Sequence, residues 1–236
     1  MQRRRIAFEP AYVLHARPYS DTSLLLDVFT VHHGRVGLIA RGARAPKSRQ
    51  RALLQVLQPL LLSWNESGEL GTLTAVEAAS SAIVLTGEPL FCAWYANELL
   101  MRLSQRGDPH PLLFAAYSDL LPKLACDAEA ALREFEQTLL AESGYGLMLP
   151  DELSPTSHYR YDWQSGPLPA AAGEPGSLSG ASLIALRDGV FNTPQARREA
   201  RWLMRAALQR QLGGKPLQTA QLLQQLRLLD AAAPET

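Results

Sequence analysis

The hydrophobic period of this chain changes near Gly87, and that change requires two kinds of architecture in succession. Before it, short apolar runs alternate with turn residues. Residues 12–16 lead to Pro18, residues 23–30 follow the break at Tyr19-Ser20-Asp21, and His32-His33-Gly34 makes the next turn. In 35–41 a period of two puts Val36, Leu38 and Ala40 on one side and Arg35, Gly37 and Arg41 on the other, so the outer face of this strand is basic. Residues 57–64 and 70–77 form a further pair around Asn65-Glu66-Ser67-Gly68. Five short strands within about eighty residues suit a small barrel better than a sandwich, which commonly uses seven or more.

Beyond Gly87 the spacing is helical. Pro89 suits a first helical turn, residues 90–106 carry the apolar stripe, and Gly107 stops it. Residues 112–121 make a second helix that Pro122 perturbs, and Asp127 is placed to cap a third that runs to Ser143 and ends at Gly144. Thr193-Pro194 starts a helix to Leu212, stopped by Gly213-Gly214, and Pro216 opens a last one to Leu229. The stretch at about 164–180 is rich in glycine, proline and serine and reads as a weakly ordered loop, while 159–163 fits either a hairpin strand or a surface patch. The expected class is α+β, with a barrel over residues 1–80 and a helical domain over 81–236. A length of 236 residues accommodates either one large domain or two small ones.

The charges sum to zero, 23 basic against 23 acidic, but they are unevenly spread. Residues 1–51 hold ten basic groups against three acids, whereas 81–162 hold five against twelve. Hydrophobic residues at 47% and charged residues at 19% fit a chain that buries a core, not a disordered one. Cys92 and Cys126 sit apart in apolar sequence without zinc-ligand spacing, and are expected to be buried thiols. No apolar run is long enough for a membrane span, and residues 1–5 lead into Glu9 and Pro10, not into a signal-peptide core, so a cytoplasmic location is expected.

Catalytic signatures are missing: there is no GxGxxG, Walker loop, HExxH or GxSxG. Gly213-Gly214-Lys215-Pro216 reads as a helix stop followed by a helix start, and adjacent His32 and His33 point apart in a turn. Neither catalytic residues nor a metal nor a cofactor are therefore expected. The positive signal is the run from Arg41 to Arg51, with Arg44, Lys47 and Arg49 between, five cations and no acid in eleven residues. Cations at that density track phosphates and release counterions on binding, although a solvated basic loop would look the same. Arg17 and Arg35 extend the set, and Tyr19 and Phe29 are the aromatics that could stack on bases, with burial in the core as the commoner alternative. Arg197, Arg201 and Arg205 recur every four residues, so they form one helical stripe, which either continues a nucleic-acid path or pairs with the acidic 81–162 region.

The ordered series Tyr12-Val13-Leu14-His15-Ala16-Arg17-Pro18-Tyr19, His33-Gly34-Arg35-Val36, Arg41-Gly42-Ala43-Arg44, Tyr95-Ala96-Asn97-Glu98-Leu99-Leu100, Leu132-Arg133-Glu134-Phe135-Glu136, Gly144-Tyr145-Gly146 and Leu212-Gly213-Gly214-Lys215-Pro216-Leu217 resembles the RecO family of bacterial recombination mediators along essentially the whole chain. The resemblance implies an N-terminal OB-fold followed by a helical domain. It also implies binding of single- and double-stranded DNA, strand annealing, and help in loading RecA onto DNA coated by single-stranded DNA-binding protein. Implied partners are RecR, the acidic C-terminal tail of single-stranded DNA-binding protein, and RecF and RecA. Arg133 matches the family's Leu-Arg-x-Phe-Glu stretch and, with Leu140 on its face, is the anchor this implies for the tail peptide; pairing of Arg133 with a neighbouring Glu is the competing reading. Many relatives carry a four-cysteine zinc module after the Gly-Tyr-Gly motif, but residues 144–180 here contain no cysteine. The terminal residues 230–236 are not basic. The alternative from the residues themselves is an OB-fold RNA-binding or assembly module, with an enzyme acting on nucleic acid third.

Overall fold

A computed structural model of the chain describes residues 4–66, 68–219, 221 and 222. They form two compact units, one of residues up to Pro122 together with those from Leu217, the other Lys123–Pro216.

The first unit is built on a closed five-stranded barrel of order β1-β2-β3-β5-β4. Its strands are β1 (Arg5–Tyr19), β2 (Ser23–Thr30), β3 (Gly34–Ala40), β4 (Pro59–Asn65) and β5 (Leu70–Ala78), with a single helical turn α1 (Gln50–Leu53) before β4. β3 and β5 run parallel through Leu38↔Gly71, and the other pairs are antiparallel, which gives the OB-like closure. Gly71 is required there, since a Cβ would lie 2.7 Å from both Leu38 and Trp64. Alternation fills the inside with Val13, Leu26, Val28, Leu38, Ala40, Leu60, Leu62 and Trp64.

β1 begins at Arg5, earlier than the expected strand at Tyr12. Its first half pairs with β4 and its second half with β2, and register shifts between Ile6 and Glu9 and between Val13 and His15 bend it from one neighbour to the other. Phe8, with φ at +53°, sits in the first bulge. Buried Glu9 accepts from the His32 backbone N–H at 2.6 Å and faces its Nδ1 at 3.0 Å, which fastens the β2–β3 turn. His33 instead meets the Trp64 ring edge-on, so the two histidines serve separate contacts.

Helix α2 (Glu88–Leu103) packs in the same unit, with Asn97 donating to the Leu14 carbonyl at 3.0 Å and accepting from the Tyr117 hydroxyl at 2.5 Å. Tyr117 belongs to α3 (Pro111–Glu142), and with Phe114 it packs on Tyr12 and Phe29 at centroid distances of 5.0–6.3 Å. The helical run passes through Pro122 and is broken at Asp127 instead (φ −145°, ψ 85°), whose Oδ1 accepts from the Ala130 N–H as an N-cap.

The second unit holds the part of α3 from Lys123, a sheet of order β7-β6-β8, and helices α4 (Gly180–Asp188) and α5 (Pro194–Gln211). The expected loop at 164–180 is corrected here: β7 (Gly166–Ala170) and β8 (Ser177–Ser179) are strands, both paired with β6 (His158–Asp162), so residues 159–163 take the hairpin-strand alternative for all but Trp163. β7 is an edge strand, the position in a sheet that tolerates prolines such as Pro167 and Pro169. Ser179 caps α4, which lacks a clear signal in the sequence, and Thr193 caps α5 as expected. Helical residues recur at Gln218, Thr219, Gln221 and Leu222; the rest of the expected last helix to Leu229 and the end at 230–236 lie outside the described residues.

Candidate nucleic-acid interface

The strand registers gather the basic residues at one end of the barrel. Arg17 pairs with Leu25, Leu25 with Ile39 and Leu24 with Ala40, so Arg17 near the end of β1 and Arg41 just after β3 flank the β1–β2 turn. The loop after β3 is pinned to that turn by two bonds from Arg44, its N–H to the Thr22 carbonyl at 2.8 Å and its guanidinium to the Ser20 carbonyl at 3.2 Å. Two consecutive turns, Ala45 to Gly42 and Ser48 to Ala45, and the fully buried methyl of Ala43 shape the rest of the loop. Arg17, Arg41, Arg44, Lys47, Arg49 and Arg51 are all exposed, with Asp21 the one acid in the turn and the loop. Tyr19, 45% exposed, stands at the same end. At the β4–β5 turn the Glu66 N–H bonds the Arg4 carbonyl at 2.9 Å, so an acid and a base are neighbours there.

Two expected members are placed elsewhere. Phe29 is fully buried against Phe114 and cannot reach a base. Arg35 is largely withdrawn: it donates to the Ser104 carbonyl at 3.1 Å and lies 3.8 Å from Asp27, which also pairs with Arg106. Burial, and then the neighbouring Arg106 charge, lowers the Arg35 pKa from its ordinary value. The outward side of β3 at this position is therefore a covered ion-pair cluster. Strand alternation carries no sign of a cover supplied by Arg106, about seventy residues onward.

In the second unit, Arg197 makes two bonds to Asp127 at 2.9 and 2.7 Å, and Arg201 bonds Glu129 at 2.8 Å. These two are drawn into acid pairing, whereas Arg205 is exposed. The Arg197 bonds, reinforced by the Ala130 N–H, lower the Asp127 carboxyl to about 2. Arg133 is buried, 6% exposed, and bonds Glu136 at 2.8 Å, while Leu140 is fully buried. Neither side chain presents a surface to a peptide. The acidic neighbour that satisfies Arg133 lies three residues along the same helix.

Cys92 is buried as expected, but Cys126 is exposed. Among the described residues no group of three or more His, Cys, Asp or Glu is arranged to hold a metal ion, and no helix is long and apolar enough to cross a membrane. Sequence reasoning missed Arg198, Trp202 and the stacking of Arg210 over Trp163 at 5.2 Å. The apolar positions Ala196, Ala200, Leu203 and Ala207 were the available signal, since they place residues 198, 202 and 205 directly opposite the core.

Two family models match, recombination protein O N terminal over residues 5–82 and recombination protein O C terminal over residues 85–220. Curated relatives include the DNA repair protein RecO of Nitrosospira multiformis, 42% identical over 97% of this chain and 99% of that protein. The DNA repair protein RecO of Methylococcus capsulatus is 45% identical over 92% and 93%. That of Aromatoleum aromaticum is 40% identical over 97% and 99%.

Proposed function

Because the chain belongs to the recombination protein O family of DNA repair proteins, we propose that it is a recombination mediator that holds DNA at the Arg17–Arg51 end of its barrel and brings complementary strands together. The observation that carries this reading is the set of six exposed cations, Arg17 at the end of β1 and Arg41, Arg44, Lys47, Arg49 and Arg51 from the loop after β3 into α1, with Arg44 tying that loop to the β1–β2 turn. Phosphate contacts of this kind are independent of sequence, so single and double strands both bind and base edges stay free to pair. Tyr19 adds a stacking surface for an unpaired base. On this reading the protein changes no covalent bond and needs no cofactor. It works in the cytoplasm with RecR and RecF, receives the acidic tail of single-stranded DNA-binding protein on its helical part, and helps RecA onto the coated strand.

Charge reversal at Arg44, Lys47 and Arg49 tests the reading. Affinity for a single-stranded oligonucleotide falls at low salt, and the slope of log affinity against log salt drops by about 2, roughly 0.7 for each lost contact. Annealing slows in parallel. Unchanged affinity and slope would remove the site from this loop. Competition at fixed salt adds a second check, with single-stranded DNA expected to outcompete structured RNA.

A further inference from the structure

Helix α5 buries Ala196, Ala200, Leu203, Met204, Ala207 and Leu208. At 100° per residue, the line opposite that stripe runs through Arg198, Trp202, Arg205 and Gln209, all exposed. Trp202 is 49% exposed, unusual for the largest apolar side chain, and it stands between two arginines. Arg197 and Arg201 are engaged by Asp127 and Glu129, but Arg198 and Arg205 make no ion pair among the described residues. Glu199, the one acid of α5, is held by the Ser179 N–H at 2.8 Å and by Gln195, and does not neutralise them. The turn at Gly176 passes the ring of Trp202, where a Cβ would come within 3.8 Å. Near the end of the helix Arg210 lies over Trp163, which meets Tyr161 at 5.2 Å.

We infer that this exposed stripe is a second contact for single-stranded nucleic acid, with Trp202 stacking on a base and Arg198 and Arg205 taking phosphates on either side. The inference rests on the DNA-binding reading above and deepens it, because annealing requires a hold on a second strand. Arg198 and Arg205 are about 10 Å apart along the helix axis, with the indole between them, an arrangement for successive backbone groups flanking one base. Stacking on tryptophan is tolerant of sequence, as joining arbitrary strands demands. An acidic peptide with apolar residues would need a cleft. One cleft of this unit is lined by Lys123, Asp127, Glu134 and Arg187, and no residue of α5 lines it.

The test uses the full chain and an oligothymidylate carrying 5-iodouracil. Irradiation is expected to cross-link Trp202, recovered in the tryptic peptide 202–205, with the product lost in Trp202→Ala and retained in Trp202→Phe. Arg198→Glu with Arg205→Glu lowers the salt slope by about 1.4, roughly 0.7 per contact, and slows annealing at an unchanged thermal midpoint. If that pair lowers the midpoint, Arg198→Gln with Arg205→Gln takes its place. Cross-links confined to barrel peptides, with both sets of variants behaving as the parent, would overturn the proposal. Loss of binding to an acidic, apolar-ended peptide while DNA binding stays intact would also overturn it. Failure of the barrel reading is distinguishable: the Arg44, Lys47 and Arg49 reversal would then leave affinity unchanged while the α5 variants still reduce it.

Discussion

Arg133 and Glu136 place two opposite charges in the interior, with side chains 7% and 1% exposed. Removing Arg133 leaves the Glu136 charge buried without its cation, so Arg133→Ala should destabilise the chain by about 3 kcal/mol, whereas a double replacement by apolar residues of similar volume should cost far less. Chemical denaturation of the three variants checks this. DNA affinity measured well below the melting temperature should not change. The same residue marks a limit of sequence reading. An arginine in an acidic helix looks like a receptor for an acidic ligand, and only packing reveals that the ligand is its own neighbour. Arg35 teaches the converse, since alternation gave its side of the strand correctly but a side facing away from the barrel interior is not solvent when Arg106 and Ser104 cover it. Arg44, Lys47, Arg49 and Arg51 were legible because a loop with no apolar anchor except Ala43 has little means of burying them.

Helix boundaries were legible where a side chain could cap them, as at Asp127 and Thr193. Asp127→Ala should cost about 1 kcal/mol for the lost cap, with the partly exposed Arg197 pair adding a few tenths. The sign of the pH effect follows from the depressed carboxyl. Its stabilisation is present above the ordinary value of 3.8 and disappears as pH falls toward about 2. Thermal midpoints of parent and variant should therefore converge over that interval and stay apart above it. β6 was legible as one of two alternatives, but β7 and β8 were not, because glycine and proline signal a loop by composition and an edge strand tolerates both. The barrel strands were, since a period of two has few other meanings, but the early start of β1 depended on bulges that break the period.

At the scale of the chain, the strong polarity along the sequence does not survive folding. The unit containing the barrel holds 13 basic and 12 acidic residues and the other holds 10 and 11, so each is within one charge of neutral and the exposed cations at the β1–β2 end and on α5 are local concentrations. Folding also brings distant segments together: Glu98 on α2 accepts from the backbone N–H groups of Gln218 and Thr219 at 3.0 and 2.9 Å. Burial opposes its charge, but the bonds from Thr219 and Gln218 and the nearby Arg102 outweigh it and leave the pKa lowered. Each such bond is worth about 1.5 kcal/mol or more, so Glu98→Ala should speed hydrogen exchange at those two amides by at least about tenfold and leave the barrel core protected. In the parent the same loss should appear as pH falls below the carboxylate range, because a lowered pKa stabilises only while the group is ionised. The closure of the barrel has a consequence for how partners can be recognised. The ring of strands leaves little free border, since β3 and β5 close it over Gly37–Ile39 and Leu70–Thr72, and the small sheet ends on one side in a proline-bearing strand and on the other in one of three residues. Extending either sheet with a strand therefore offers a binding protein little, so recognition falls chiefly to side chains, and those can change one at a time while the hydrogen-bonded frame stays as it is.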